Sequence, residues 1–328
     1  MEIDSTIVPF RECGEWDAFV RESPLGSVFA GIPWLDIVER MYGAPVRLCL
    51  TTVDGEITAA TPFHTVRERG LTAVPTYPVT PYTGLLLRPG LKEPHYHDAA
   101  RAHLRTLAQQ AERLSFTLSP ALTDTRPYLW EGWRVSPLYT YVVDMADEEA
   151  VWEGFSQSLR RKIRRADESG LRMVRVEDAS RIYALHAHSY ARHESDSPMR
   201  EGAFARWFEA ITASGIGSAY GAESADGELL SVRVVLRDGI RTYDWLAGAG
   251  AESEEHNATH WLVWEIMKEL RKGGVERFDF RGANTAGIID FKRLFGGALL
   301  PYYHVTIGVS RLAKLSDAAL LVLRGLRR

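Results

Sequence analysis

Apolar residues recur at helical and at alternating spacing, in a definite order, along the second half of this chain. Leu171 to Val176 reads as a strand, and Ala179 to Arg192 and Glu201 to Ala213 carry apolar residues at roughly helical intervals. Strand patterns follow over Gly217 to Glu223, Leu229 to Leu236 and Ile240 to Leu246. The pairs Asp226-Gly227 and Asp238-Gly239 between them read as hairpin turns, because both central positions of such turns favour positive φ. Thr259 to Lys272 places Trp261, Leu262, Trp264, Ile266 and Leu270 on a wide apolar helix face, closed by Gly273-Gly274. A short strand from Val275 to Phe280, a turn at Gly282, a short helix carrying Lys292 and a last strand pair within Leu299 to Val309 complete the half. The predicted order is β-α-α-β-β-β-α-β-α-β.

The first half repeats this order more faintly. Ile3 to Phe10 reads as a strand, Glu15 to Arg21 and Trp34 to Met41 as helices, and Val46 to Val53 and Glu56 to Phe63 as a hairpin around Asp54-Gly55. After a proline-rich stretch, Tyr82 to Leu87 is a strand, His95 to Leu114 a helix, and Ser115 to Ser119 and Val135 to Asp144 strands. The architectural repeat predicts two domains, residues 1–145 and 146–328, each long enough to bury a core. The fold class expected is α+β, a tandem of mixed sheets flanked by helices.

Composition narrows the function. Apolar content of 45% and charged content of 25% are those of an ordinary globular protein. A net charge of -4 argues against a chain wrapped in nucleic acid, and no DNA partner is expected, although a local basic groove is compatible with this balance. With Cys13 and Cys49 as the only cysteines, neither a disulfide framework nor a structural zinc site is expected. No secretory signal or membrane span is read, so a cytoplasmic location is the expectation.

Three segments carry a resemblance. They are Val151 to Gly170 (VWEGFSQSLRRKIRRADESG), Tyr243 to Gly250 (YDWLAGAG) with the helix after it, and the FDFRG and FKRLFGG pair around Asp279 and Lys292. Together with the element order, they make the second half similar to the FemABX family and its FemAB-like GNAT relatives. The resemblance implies tandem GNAT-like domains and transfer of an acyl group onto an amine. The best-known members move an amino acid from aminoacyl-tRNA onto the peptide of a peptidoglycan precursor; relatives act in natural-product or lipid pathways. Coenzyme A-dependent relatives carry a glycine-rich turn before the central helix, whose backbone N–H groups bind the pyrophosphate. Here that stretch is AESEEHNATH, Ala251 to His260, with no glycine and with Glu252, Glu254 and Glu255. Aminoacyl-tRNA is therefore the expected co-substrate, acyl-CoA the alternative donor, and no metal or other cofactor is implied. A non-catalytic binding module is the third reading.

The candidate residues follow from these segments. Lys292 is the candidate to hold a carboxylate or phosphate or to steady a tetrahedral oxyanion, with Ile288, Phe291 and Phe295 anchoring its helix. Asp279 is the candidate to orient the incoming amine or take its proton, with Arg281 beside it; an ion pair that merely fixes the turn is the equal alternative. Tyr243 and Trp245 share one strand face and line a substrate cleft or fill a core. Arg200 falls in a loop where relatives place a substrate-contacting arginine, and His193 reads as a loop histidine. Arg160, Arg161, Lys162, Arg164 and Arg165 repel one another along one helix and so suit phosphate contacts better than helix stability. The basic amphipathic tail Arg311 to Arg328 docks on the protein's own core or lies peripherally on a membrane.

Overall fold

A computed structural model describes residues 2–77, 79–192, 197 and 199–315. The chain forms two compact units, one of Met1–Leu138 with the described part of Pro301–Arg328, the other of Tyr139–Leu300.

The first unit contains β1 (Ile3–Pro9), α1 (Trp16–Glu22), α2 (Ile32–Tyr42), β2 (Arg47–Val53), β3 (Glu56–Phe63), β4 (Val66–Glu68), β5 (Leu71–Val74), β6 (Leu86–Leu87), α3 (His95–Ala108), β7 (Arg113–Thr117) and α4 (Arg126–Trp130). Strands β1-β2-β3-β6 make an antiparallel sheet in that order. Strand β5 pairs antiparallel with β4 and parallel with β7. Trp16, Phe29 and Trp34 are fully buried, with Phe29 edge-on to Trp34 at 5.0 Å. Several details differ from the sequence expectation, among them the short helix α4, which was not expected. The β4–β5 hairpin was not expected, because its left-handed turn residues are Arg69 and Gly70 rather than an Asn-Gly or Asp-Gly pair. The helix from His95 stops at Ala108, and of Tyr82 to Leu87 only Leu86–Leu87 is strand.

In chain order, β8 (Arg134–Asp144) leads into the second unit. There follow α5 (Glu148–Gly154), α6 (Gln157–Glu168), β9 (Arg172–Arg175), α7 (Ala179–Ala191), α8 (Glu201–Ala213), β10 (Gly217–Glu223), β11 (Leu229–Asp238), β12 (Arg241–Ala249), α9 (Ala258–Lys272), β13 (Arg277–Asp279) and α10 (Ala286–Lys292). Strand β14 (Ala298–Gly308) returns to the first unit, where its His304–Gly308 segment pairs antiparallel with β7. The sheet of the second unit runs β8-β13-β12-β11-β10-β9, antiparallel except for β12 beside β13. This is the predicted order of elements, except that the last segment is one strand, β14, rather than a strand pair. The basic segment from Val151 is two helices rather than one. Phe155 is extended, and the Ser156 hydroxyl caps the second helix by accepting from the Leu159 N–H at 3.2 Å.

Helices α6 and α9 cover one face of this sheet. Leu159, Ile163, Trp261, Leu262 and Ile266 pack there with Val235, Phe278, Phe280 and Phe295. Helices α7 and α8 cover the other, where Phe204 stacks with Trp245. Close approach of α7 requires Gly248: a Cβ at that position would lie 2.6 Å from the His186 backbone nitrogen.

Candidate active site

The site starts from a break in the sheet. Strand β13 pairs with β12 only from Arg241–Arg277 to Tyr243–Asp279. One residue further on, the register between β12 and β11 slips, with Val235 opposite Asp244 and Val234 opposite Leu246, so Trp245 is a bulge. Beyond Tyr243, therefore, β12 has a paired edge toward β11 and an open edge on the β13 side. Backbone acceptors on an open buried edge need partners, and here side chains supply them. The Arg281 guanidinium donates to Trp245 O at 2.7 Å. Nδ1 of His186 bonds Ala247 O at 2.9 Å, and Nδ1 of His188 bonds Ala249 O at 3.0 Å. The Ser189 hydroxyl accepts from the Ala249 N–H at 2.8 Å, and its one hydrogen is shared between Leu185 O at 3.1 Å and Ala249 O at 3.3 Å. The edge is filled by the protein itself.

Arg281 reaches that edge from a strained turn. It has φ 49° and Gly282 has φ 63°, so two successive residues are left-handed. For a residue with a Cβ this costs roughly 1–2 kcal/mol, and neighbouring bonds hold it in place. Asp279 Oδ1 accepts from the Arg281 N–H at 2.7 Å and from the Thr140 hydroxyl at 2.6 Å. The Phe280 and Ala283 N–H groups donate to the carbonyls of Tyr141 and Tyr139. Lys292 donates to the carbonyls of Phe280, Arg281 and Gly282 at 2.7, 2.6 and 2.6 Å. An ammonium has three hydrogens, and all three are engaged. Burial pushes the Lys292 pKa down to about 8, with the charge of Asp244 acting the other way. The oxyanion role expected of Lys292 thus meets a geometry in which the ammonium is already committed: it is a clamp on the turn. Phe295 anchors the α10 segment, whereas Ile288 is 46% exposed and does not.

Beside the clamp lies a charge pair that the sequence reading passed over. Arg233 on β11 and Asp244 on β12 form a salt bridge with their side chains 5% and 4% exposed. The Phe291 ring lies over the guanidinium at 5.0 Å, and His260, in the first turn of α9, packs 4.9 Å from Phe291. Burial, then Lys162 and Arg233, push His260 down to about 4, so the ring is neutral at physiological pH. The signal was present in the sequence: Arg233 interrupts the apolar run LLSVRVVL, and a hairpin through Asp238-Gly239 brings it beside the Asp of YDWL.

The remaining candidates divide. Tyr243 is buried, its hydroxyl bonded to Asp238 at 2.9 Å, and Trp245 packs on Phe204 and Trp207, so both side chains belong to the core while the backbone of Trp245 belongs to the open edge. Arg200 is exposed at the N-cap of α8. On α6, Arg161, Arg164 and Arg165 are exposed and Arg160 and Lys162 half-buried, with Leu159, Ile163 and Ala166 turned inward. Lys162 is the member of this row whose charge reaches His260. The acidic residues Glu252, Glu254 and Glu255 are exposed, and Asn257 at the N-cap of α9 takes a left-handed φ of 52° where a glycine is the ordinary choice. In the first unit, Glu93, His97 and Asp124 bring their ligand atoms within 4.8 Å, and the Arg126 guanidinium bonds both carboxylates, filling the cation position. His193 and the tail beyond Leu315 lie outside the described residues.

Residues 154–293, which contain the open edge, the clamp and the charge pair, match the family model of an acetyltransferase (GNAT) domain. The matched segment is similar to a GNAT domain, in a chain whose fold is FemAB-like. The crystal structure of FemX superposes on 92% of this chain and 97% of its own, with a TM-score of 0.72 at 15% identity. The structure of L-PGS from Bacillus licheniformis covers 97% of both chains (TM-score 0.56, 12% identity). A tandem GNAT protein from the clavulanic acid biosynthesis pathway covers 94% of this chain and 99% of its own (TM-score 0.55, 13% identity). At these identities the likeness is one of fold. No curated protein matches the sequence. Among the described residues, no helix is long and apolar enough to cross a membrane.

Proposed function

We propose that this GNAT-type N-acyltransferase takes its acyl group from an aminoacyl ester, borne on tRNA, and passes it to an amine of a peptide, peptidoglycan-precursor or natural-product acceptor. The observation that carries this reading is the filled open edge of β12. In coenzyme A-dependent relatives, the splayed strands and the turn before the central helix cradle the donor. Here Arg281, His186, His188 and Ser189 occupy the edge acceptors, and the turn carries three exposed glutamates that repel a pyrophosphate. A pantetheine arm would have to displace four side chains. An aminoacyl ester asks only for space at its acyl end.

The amine nitrogen attacks the ester carbonyl, a C–N bond forms, the bond to the ribose oxygen breaks, and the amine proton passes to that leaving oxygen. The ester is already reactive, so orientation supplies much of the rate. In this reading the clamp of Lys292 holds Arg281 at the reacting end, and the row Arg160, Arg161, Lys162, Arg164 and Arg165 contacts phosphates. The acyl-CoA alternative is favoured by the acetyltransferase description of the matching family model. Incubating the protein with labelled aminoacyl-tRNA or labelled acyl-CoA and a panel of amines decides between them: turnover with acyl-CoA alone overturns the proposal.

A further inference from the structure

The Arg233–Asp244 pair is buried, yet it is only half bonded. Arg233 Nε and Asp244 Oδ1 have no hydrogen-bond partner among the described residues, although both side chains are nine-tenths or more buried. Each such orphan costs about 1–3 kcal/mol, and a buried group left unmet calls for an explanation, of which a bound group is one. The two orphans are one donor and one acceptor, held together by the salt bridge between them. They sit at the bulge, next to the residue whose carbonyl Arg281 holds, and beneath the partly exposed ring of Phe291. The pair is thus one aromatic ring below solvent and beside the reacting end of the site.

We infer that Arg233 and Asp244 recognise a primary ammonium next to an acyl carbonyl, the α-aminoacyl end of the donor, with Asp244 Oδ1 accepting from the ammonium and Arg233 Nε donating to the carbonyl. This rests on the aminoacyl reading above and deepens it. A plain acetyl group offers an acceptor for Arg233 and nothing for Asp244, so the pair discriminates between the two donor classes. The acceptor's amine is the poorer match. It must lose its charge to attack, whereas the donor's α-ammonium takes no part in the bond exchange and stays charged. Asp279 differs from Asp244 in that its carboxylate is already tied to the turn, accepting from Thr140 and from the Arg281 backbone.

The test is binding, independent of turnover. Titration calorimetry on the full chain compares non-hydrolysable 3′-aminoacylamido adenosines (glycyl, alanyl and leucyl) with their N-acetylated forms. Losing one charge-assisted hydrogen bond lowers affinity roughly 10- to 100-fold, so the free-amine probe is expected to bind tighter by that factor and Asp244→Asn to bring the ratio close to one. Equal affinities for free and N-acetylated probes in the unmutated protein overturn the inference, as does failure of all the probes to bind or an unchanged ratio in a folded Asp244→Asn. The two readings fail separately. Discrimination between probes without transfer from aminoacyl-tRNA sinks the proposed function, and transfer with equal probe affinities sinks the recognition site.

Discussion

Each unit of this chain buries a polar centre, and the two are finished differently. In the first unit His103 is fully buried with both ring nitrogens engaged, Nδ1 by Thr51 at 3.0 Å and Nε2 by Thr61 at 2.8 Å. In the second, the Arg233–Asp244 pair leaves a donor and an acceptor unmet, and Nε2 of the equally buried His186 has no partner among the described residues. A closed network rigidifies a core; an open one stores a cost that something else relieves. The open pair lies in the unit that the acetyltransferase family model matches.

The comparison is broken most severely at the clamp. Lys292→Met leaves three carbonyls of the turn without their donor, and we expect a loss of about 3 kcal/mol in denaturant unfolding together with a roughly 100-fold loss of transfer as Arg281 shifts. Unchanged activity in the variant would remove Lys292 from the site. Arg281→Gly separates the two properties. Glycine takes the left-handed conformation freely, a gain of about 1 kcal/mol that offsets the lost bond to Trp245, so stability is expected to hold within about 1 kcal/mol while transfer falls roughly 100-fold. A variant that unfolds early but keeps its rate contradicts this division.

His103→Ala should do the reverse. It opens a cavity and strands two hydroxyls, so we expect a loss of about 2–4 kcal/mol with the activity of the folded fraction unchanged. Burial holds the His103 pKa down at about 3. Between that value and the ordinary histidine value the unfolded chain binds the proton that the folded ring refuses, so this residue makes stability fall as pH drops through that window. Lys292 acts with the same sign on the alkaline side. Its folded pKa of about 8 lies below the ordinary lysine value, so the unfolded chain holds more protons above pH 8 and this group makes stability rise there. A neutral amine has only two hydrogens for three carbonyls, so the turn loosens and transfer is expected to fall above about pH 8. A rate that stays flat to pH 10 would show that the clamp does not depend on the charge. The smallest effect belongs to α6. Reversing Arg164 to Glu is expected to reduce the salt dependence of donor binding by about one phosphate contact, leaving stability within about 0.5 kcal/mol.

The order of elements in the second unit was legible because its strands and helices differ in period and its hairpins carry Asp-Gly turns. The β4–β5 hairpin was not, because Arg69-Gly70 is not a composition that announces a turn. The FDFRG and FKRLFGG segments were rightly singled out as one unit, but the sequence could not say that Lys292 would turn onto the backbone of its own motif rather than toward a substrate. That depends on where α10 lays its last residue against the turn. Arg233 and Asp244 were missed for a related reason. Alternation put Asp244 on the face away from Tyr243 and Trp245, but its partner depends on the register of the hairpin, which sets Asp244 opposite Val235, two residues from Arg233 on the same face. Filling of the open edge by α7 was equally hidden, since it depends on the close approach that Gly248 permits.

Donor choice tests the central claim most directly. Purified protein is given labelled aminoacyl-tRNA and labelled acyl-CoA in parallel, with the same panel of amines, and product is counted in each. The account expects label to move from aminoacyl-tRNA and not from acyl-CoA; label moving from acyl-CoA with none from aminoacyl-tRNA would contradict it.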